Sequence, residues 1–284
     1  MKSIAIKTNN SQIIEYLQNN FKKIIMPETY ITQKKFKHFT NIIIHYKGNM
    51  IDDFLKGVSK ILSFLVIYEF EEDFLKEIIN SNYFYFSNLE REEILENCFN
   101  ILVDSTNFAK KKFRILNKVF FTFIKNNKNL YLSGFINFRL HLYHTALQEI
   151  VEEAVNNFIL EREYNEFISL LRLYINSEQY IKKILHVVYS KNFTLILDEN
   201  KKIIECSKDT FNAKFLSDIS FSTNDYTLNT LLTLLPRKIY VHLIDNTIDE
   251  FITTLKLIFE NRLETCTDCN ICNLYHKYNI NVNK

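Results

Sequence analysis

IDDFLKGVSKILSFLVIY, residues 51–68, carries Ile51, Phe54, Val58, Ile61 and Leu65 three to four positions apart. That spacing lines them along one side of an α-helix and breaks the strict alternation of a half-buried strand. The same period recurs further along the chain. Ser87 and Glu90 have the capping-box spacing, in which each side chain accepts a hydrogen bond from the other's backbone N–H, and Ile94, Cys98, Ile101 and Ser105 continue one stripe beyond it. Leu140, Tyr143, Leu147, Ile150, Ala154 and Phe158 form another. Residues 48–178 are therefore predicted to be long helices packed as a bundle-like layer.

On either side of this middle the period shortens from helix to strand. In residues 1–47, SIAIKT reads as a strand, Ile14, Leu17, Phe21 and Ile24 mark a helix that stops before Pro27, and NIIIHYK at 41–47 reads as a second strand. Residues 179–265 hold KILHVVYS, FTLILDE and KKIIECS as three short strands, then a helix near 224–235 that ends at Pro236. RKIYVHLI follows as a fourth strand, and Thr247 with Glu250 suggests a capping box for one more helix. Residues 266–284 are a cysteine-containing, Asn-rich tail expected to fray. The chain is thus predicted to be α+β: a small N-terminal α/β unit, a long-helix middle, and a small antiparallel or mixed C-terminal sheet with two helices.

Composition removes several function classes. The 284 residues include only 3 Gly and 2 Pro, and Gly48, Gly57 and Gly134 stand far apart. Phosphate cradles and dinucleotide fingerprints need glycines close together so that backbone N–H groups can approach the phosphates, so neither is present. A net charge of +2 creates no field over the whole chain that demands nucleic acid or an anionic membrane. ILSFLVIY, the most apolar run, is too short to span a bilayer and meets Glu69, Glu71 and Glu72 at once. MKSIAIKTNNSQ lacks the apolar centre of a signal peptide, which points to the cytoplasm.

The sharpest chemical feature is Cys266-Thr-Asp-Cys269-Asn-Ile-Cys272, followed by His276. Two residues between successive thiols let them turn toward one inorganic centre, as in the ferredoxin run, whose fourth position is here His276. The spacing favours a 4Fe–4S cluster on Cys266, Cys269 and Cys272, its fourth iron held by His276, Cys206, Cys98 or an outside ligand. Zinc on Cys266, Cys269, Cys272 and His276 is the alternative. Thiol redox chemistry, and reduced thiols that bind nothing, are the remaining readings. Cys98 and Cys206 lie among apolar neighbours and read as core.

Other signals yield no catalytic residue. His141 and His144, with Gln148 and Glu152, fit a solvated helix face. His45, His186 and His242 sit within predicted strands, and none can be assembled with a Ser or Cys and an Asp into a triad. The basic runs KKFKHF (34–39) and KKKFR (110–114) interleave charge with phenylalanine, a pattern that suits single-stranded nucleic acid but that ordinary surfaces also show. They are expected to be solvated faces. Glu161, Arg162, Glu163 and Glu166 form a charged patch without a sign of a cleft.

GFINFRL (134–140), EREYNEFISLLRLYI (161–175), LLTLLPRKIYVHLID (231–245), IFENR (258–262) and ETCTDCNIC (264–272) resemble the YtxC-like sporulation proteins of endospore-forming Firmicutes. The likeness is strongest from Gly134 to Cys272. It implies a cytoplasmic protein made during spore formation and supplies no catalytic residue. The expectation is a non-enzymatic sporulation factor that works through a protein partner and carries a metal or iron–sulfur site. A redox or cluster-dependent enzyme and a nucleic-acid-binding protein are the alternatives.

Overall fold

The computed structural model describes residues 1–23, 26–104, 106–204 and 222–282. They form an α+β protein of two compact units, Met1–Glu161 and Arg162–Lys284.

The first unit opens with β1 (Lys2–Thr8), α1 (Ser11–Phe21), β2 (Thr29–Lys35) and β3 (Thr40–Tyr46). The helices α2 (Ile51–Glu69), α3 (Glu71–Asn82), α4 (Asn88–Asp104) and α5 (Thr106–Asn126) follow. A short strand β4 (Asn129–Tyr131), then α6 (Leu132–Arg139) and α7 (His141–Ser177), complete it, and the division between the units falls within α7. The sheet order is β2-β3-β1-β4, with β1 antiparallel to β3 and parallel to β4. Ile4, Ile6, Ile42 and Ile44 bury one sheet face against Leu17 and Phe21, as the strand alternation requires.

Periodicity identifies α2 but misjudges its inner face slightly. Phe54, Val58 and Leu65 are buried, whereas Ile51 is exposed and the face extends to Leu55, Leu62 and Val66. The Ser87–Glu90 box forms, with Ser87 N–H donating to Glu90 Oε2 over 2.7 Å and Glu90 N–H to Ser87 Oγ over 3.3 Å. Cys98 is fully buried, and burial pushes its thiol up to about 12. A buried cluster lies between α3, α5 and α7. Glu71 accepts two bonds from Lys112 Nζ, at 2.7 and 2.9 Å, and one from the Tyr143 hydroxyl.

The second unit holds β5 (Lys182–Ser190), β6 (Phe193–Leu197), β7 (Ile203–Ile204), α8 (Thr223–Leu234) and β8 (Pro236–Leu243). Then come α9 (Glu250–Phe259), β9 (Leu263–Cys266) and α10 (Asn270–Val282). The sheet is mixed, in the order β7-β6-β5-β8-β9, with β8 parallel to both β5 and β9. Leu185, Val187, Ile239 and Val241 bury one face against Leu231, Leu255 and Phe259. Val188 and Leu197 on the other face pack against Ile271 and Cys272 of α10.

Three local expectations differ from the structure. The cap of α9 is Asp249, whose carboxylate accepts from Ile252 N–H at 3.1 Å, in place of the Thr247–Glu250 box. The strand read over KKIIECS extends beyond the described residues, and Cys206 lies outside them. Asn270–Val282 is a helix and not a frayed tail, because Ile271, Cys272 and Tyr275 recur at helical spacing against Val188 and Leu197.

Candidate metal centre

Parallel pairing of β8 with β9 builds the site. The register sets His242 opposite Cys266, so both residues fall on the same face of the sheet. The chain then leaves β9, and Cys269 stands immediately before α10, with Cys272 in that helix's first turn. Cys272 N–H points at Cys269 Sγ over 3.5 Å, so this sulfur caps the helix N-terminus, where partial positive charge favours a thiolate.

Four donors converge. The ligating atoms of His242, Cys266, Cys269 and Cys272 all lie within 4.8 Å of one another. Nδ1 of His242 is 3.3 Å from Cys269 Sγ and 3.5 Å from Cys272 Sγ. Cys272 Sγ is 3.6 Å from Cys269 Sγ and 3.9 Å from Cys266 Sγ. His242 and Cys272 are buried, while Cys266 and Cys269 are half-buried. Such a set can hold a metal ion.

The electrostatics suit a cation. Burial, helped by His186 and Lys201, lowers His242 to about 4, which keeps the imidazole in the neutral form that metals bind. Burial raises the Cys269 thiol, but hydrogen bonds from the Cys272 and Ile271 backbone and from the Cys272 and Cys266 side chains outweigh it, leaving Cys269 below its ordinary value. Burial pushes Cys272 up to about 12, so this thiol loses its proton readily only to a cation beside it. Behind the donors, Nε2 of His242 stands 3.0 Å from Nδ1 of His186, whose ring stacks on Tyr240.

The three cysteines expected from their spacing are thus together, and the histidine that joins them is His242. His276 is exposed on α10 and stands outside the group. In the sequence His242 is only a strand histidine, because residues 242 and 266 become neighbours through the register alone. The other histidines have different surroundings. His45 bridges Ser3 and Thr32 across the first sheet at 2.8 and 3.0 Å. His144 is half-buried with its ring 4.3 Å from that of Phe74, which departs from the solvated face expected of it.

The fold and donor set define a two-unit α+β protein with a Cys3His constellation between a parallel strand pair and a helix N-terminus. The chain belongs to the YtxC-like family, whose model matches residues 56–264. It is 25% identical over 202 residues to the Bacillus subtilis (strain 168) protein named "Uncharacterized protein YtxC", covering 68% of this chain and 70% of that one. No solved structure matches. The family match includes His242 and ends two residues before Cys266. Among the described residues, no helix is long and apolar enough to cross a membrane.

Proposed function

We propose that this chain is a cytoplasmic, non-enzymatic factor of spore formation that acts through protein contacts and carries one zinc ion on Cys266, Cys269, Cys272 and His242. The observation that carries the metal reading is the spacing of the four donors. Zinc binds thiolate at about 2.3 Å and imidazole at about 2.0–2.1 Å, so a tetrahedron requires donors roughly 3.5–3.8 Å apart. Four of the donor separations, 3.3, 3.5, 3.6 and 3.9 Å, bracket that range. In a four-iron cluster each thiolate takes a different iron, which spreads the sulfurs more widely than one ion does. The spacing therefore favours a single ion over the cluster that the cysteine run first suggests.

The ion's role follows from where its donors sit. It would tie the start of α10 to β9, the edge strand that leads into it, and to β8, an interior strand more than twenty residues earlier in the chain. A closed four-ligand set of this kind is structural, leaving no position for substrate. The sporulation setting rests on the family likeness, and the protein partner on the helical middle and on a sequence without a recognisable catalytic motif.

Metal analysis of anaerobically purified protein, compared with His242→Gln and His276→Gln, tests the site. One zinc per chain in the wild type and in His276→Gln, with marked loss in His242→Gln, is the expected result. A brown protein containing iron and labile sulfide would replace zinc with the cluster, and metal-free wild type would remove the site. For the setting, deletion of the gene in a spore-former is expected to lower the yield of heat-resistant spores, and an unchanged yield would overturn it.

A further inference from the structure

The basic run KKKFR separates in the fold into side chains with different tasks. Lys112 turns inward to Glu71, and Lys111 pairs with Glu149. Lys110 and Arg114 instead remain on the outer side of α5. There α5 lies antiparallel to α2: Lys125 is 3.6 Å from Asp52, Asn117 accepts from Ser59 at 2.7 Å, and the rings of Phe113 and Phe64 are 5.0 Å apart. A groove of about 490 Å³ follows this seam within the first unit. Lys56, Lys110, Arg114 and Lys118 line it together with Phe113 and Phe121, and no carboxylate does so among the described residues.

The charge is local, because the chain as a whole is only +2. Lys110, Arg114 and Lys118 have no ion-pair partner among the described residues, and the one pair within the groove, Lys56 with Asp53, is solvent-exposed and therefore weak. Lys60, on the same side of α2, stands 5.9 Å from the centre of the Phe64 ring. Cations about one helical turn apart, with half-buried phenylalanine rings between them, match a chain that presents phosphates and flat bases by turns. An acidic polypeptide would use the charges and leave the rings idle. A duplex would bury its bases and could not use the rings either.

We propose that the α2–α5 seam binds single-stranded nucleic acid, with Lys56, Lys110, Arg114 and Lys118 on phosphates and Phe113 and Phe121 as stacking platforms. This site is independent of the metal centre. Fluorescence anisotropy of the full-length protein with a labelled mixed-sequence oligonucleotide tests it. The expected result is saturable binding at low salt, falling with a slope near −3 in log affinity against log salt if about four phosphates are neutralised. Arg114→Glu with Lys118→Glu is expected to lower affinity at least about tenfold, since each reversed side chain removes one phosphate contact and adds repulsion. Phe121→Leu, which keeps the charge, is expected to weaken single-strand binding without changing that slope. Lys34→Glu with Lys35→Glu, on β2, is expected to bind like wild type. No binding at low salt, equal binding by the Arg114/Lys118 variant, or equal affinity for polyglutamate or for duplex would overturn the proposal.

Discussion

Nε2 of His242 lies 3.0 Å from Nδ1 of His186. With Nδ1 of His242 turned to a metal, its remaining proton stands on Nε2 and donates to His186, which holds the ring in its ligating orientation. His186→Phe keeps a ring for Tyr240 to stack on but removes the acceptor. Metal content is expected to remain at one per chain, with affinity reduced about 10–100-fold, the usual cost of losing such a partner. Competition with a chelating dye measures this, and unchanged affinity would show that His186 only fills space. A second residue-scale prediction concerns Lys112, whose ammonium balances Glu71 in the first unit. Lys112→Met leaves that carboxylate buried without its counter-charge, and urea unfolding should show a loss of roughly 3–5 kcal/mol. Changing Lys111, whose pair with Glu149 is exposed, should cost well under 1 kcal/mol.

Among the elements, α10 would depend most on a bound ion. Its described side chains give it a narrow apolar contact, through Ile271, Cys272 and Tyr275, and an isolated helix of 13 residues is marginal in water. A bound ion would fix its first turn to β8 and β9. Chelation is therefore expected to speed amide exchange across residues 270–276 while β5 and α9, held by their own buried face, stay protected. Hydrogen exchange with mass spectrometry reads this directly, and equal protection with and without chelator would count against the clamp. Cys269→Ala should produce much of the same fraying, because it removes a ligand and the helix cap together.

For the whole molecule, metal binding at this site would link stability to pH. The three thiols must lose their protons to bind a cation, so protons compete with metal and the stabilisation by metal falls as pH falls. The gap in melting temperature between metal-loaded and chelated protein should be widest near pH 8 and close toward pH 5, and a gap independent of pH would exclude thiolate ligation. Calorimetry of the full chain follows it. The α+β class, the helical middle and the strand content of both flanks were legible in the sequence, because burial imposes a period on apolar residues wherever one face is covered. The three cysteines were legible for a similar reason, since two-residue spacing is local geometry. What only the tertiary structure decided was pairing across distance: His242 meets Cys266 through a parallel register, Lys112 and Arg114 part company around one helix, and a polar tail becomes α10 against the sheet. Periodicity reports which side of an element is covered and says nothing of what covers it, and a ligand set drawn from two strands and a helix is a property of that covering.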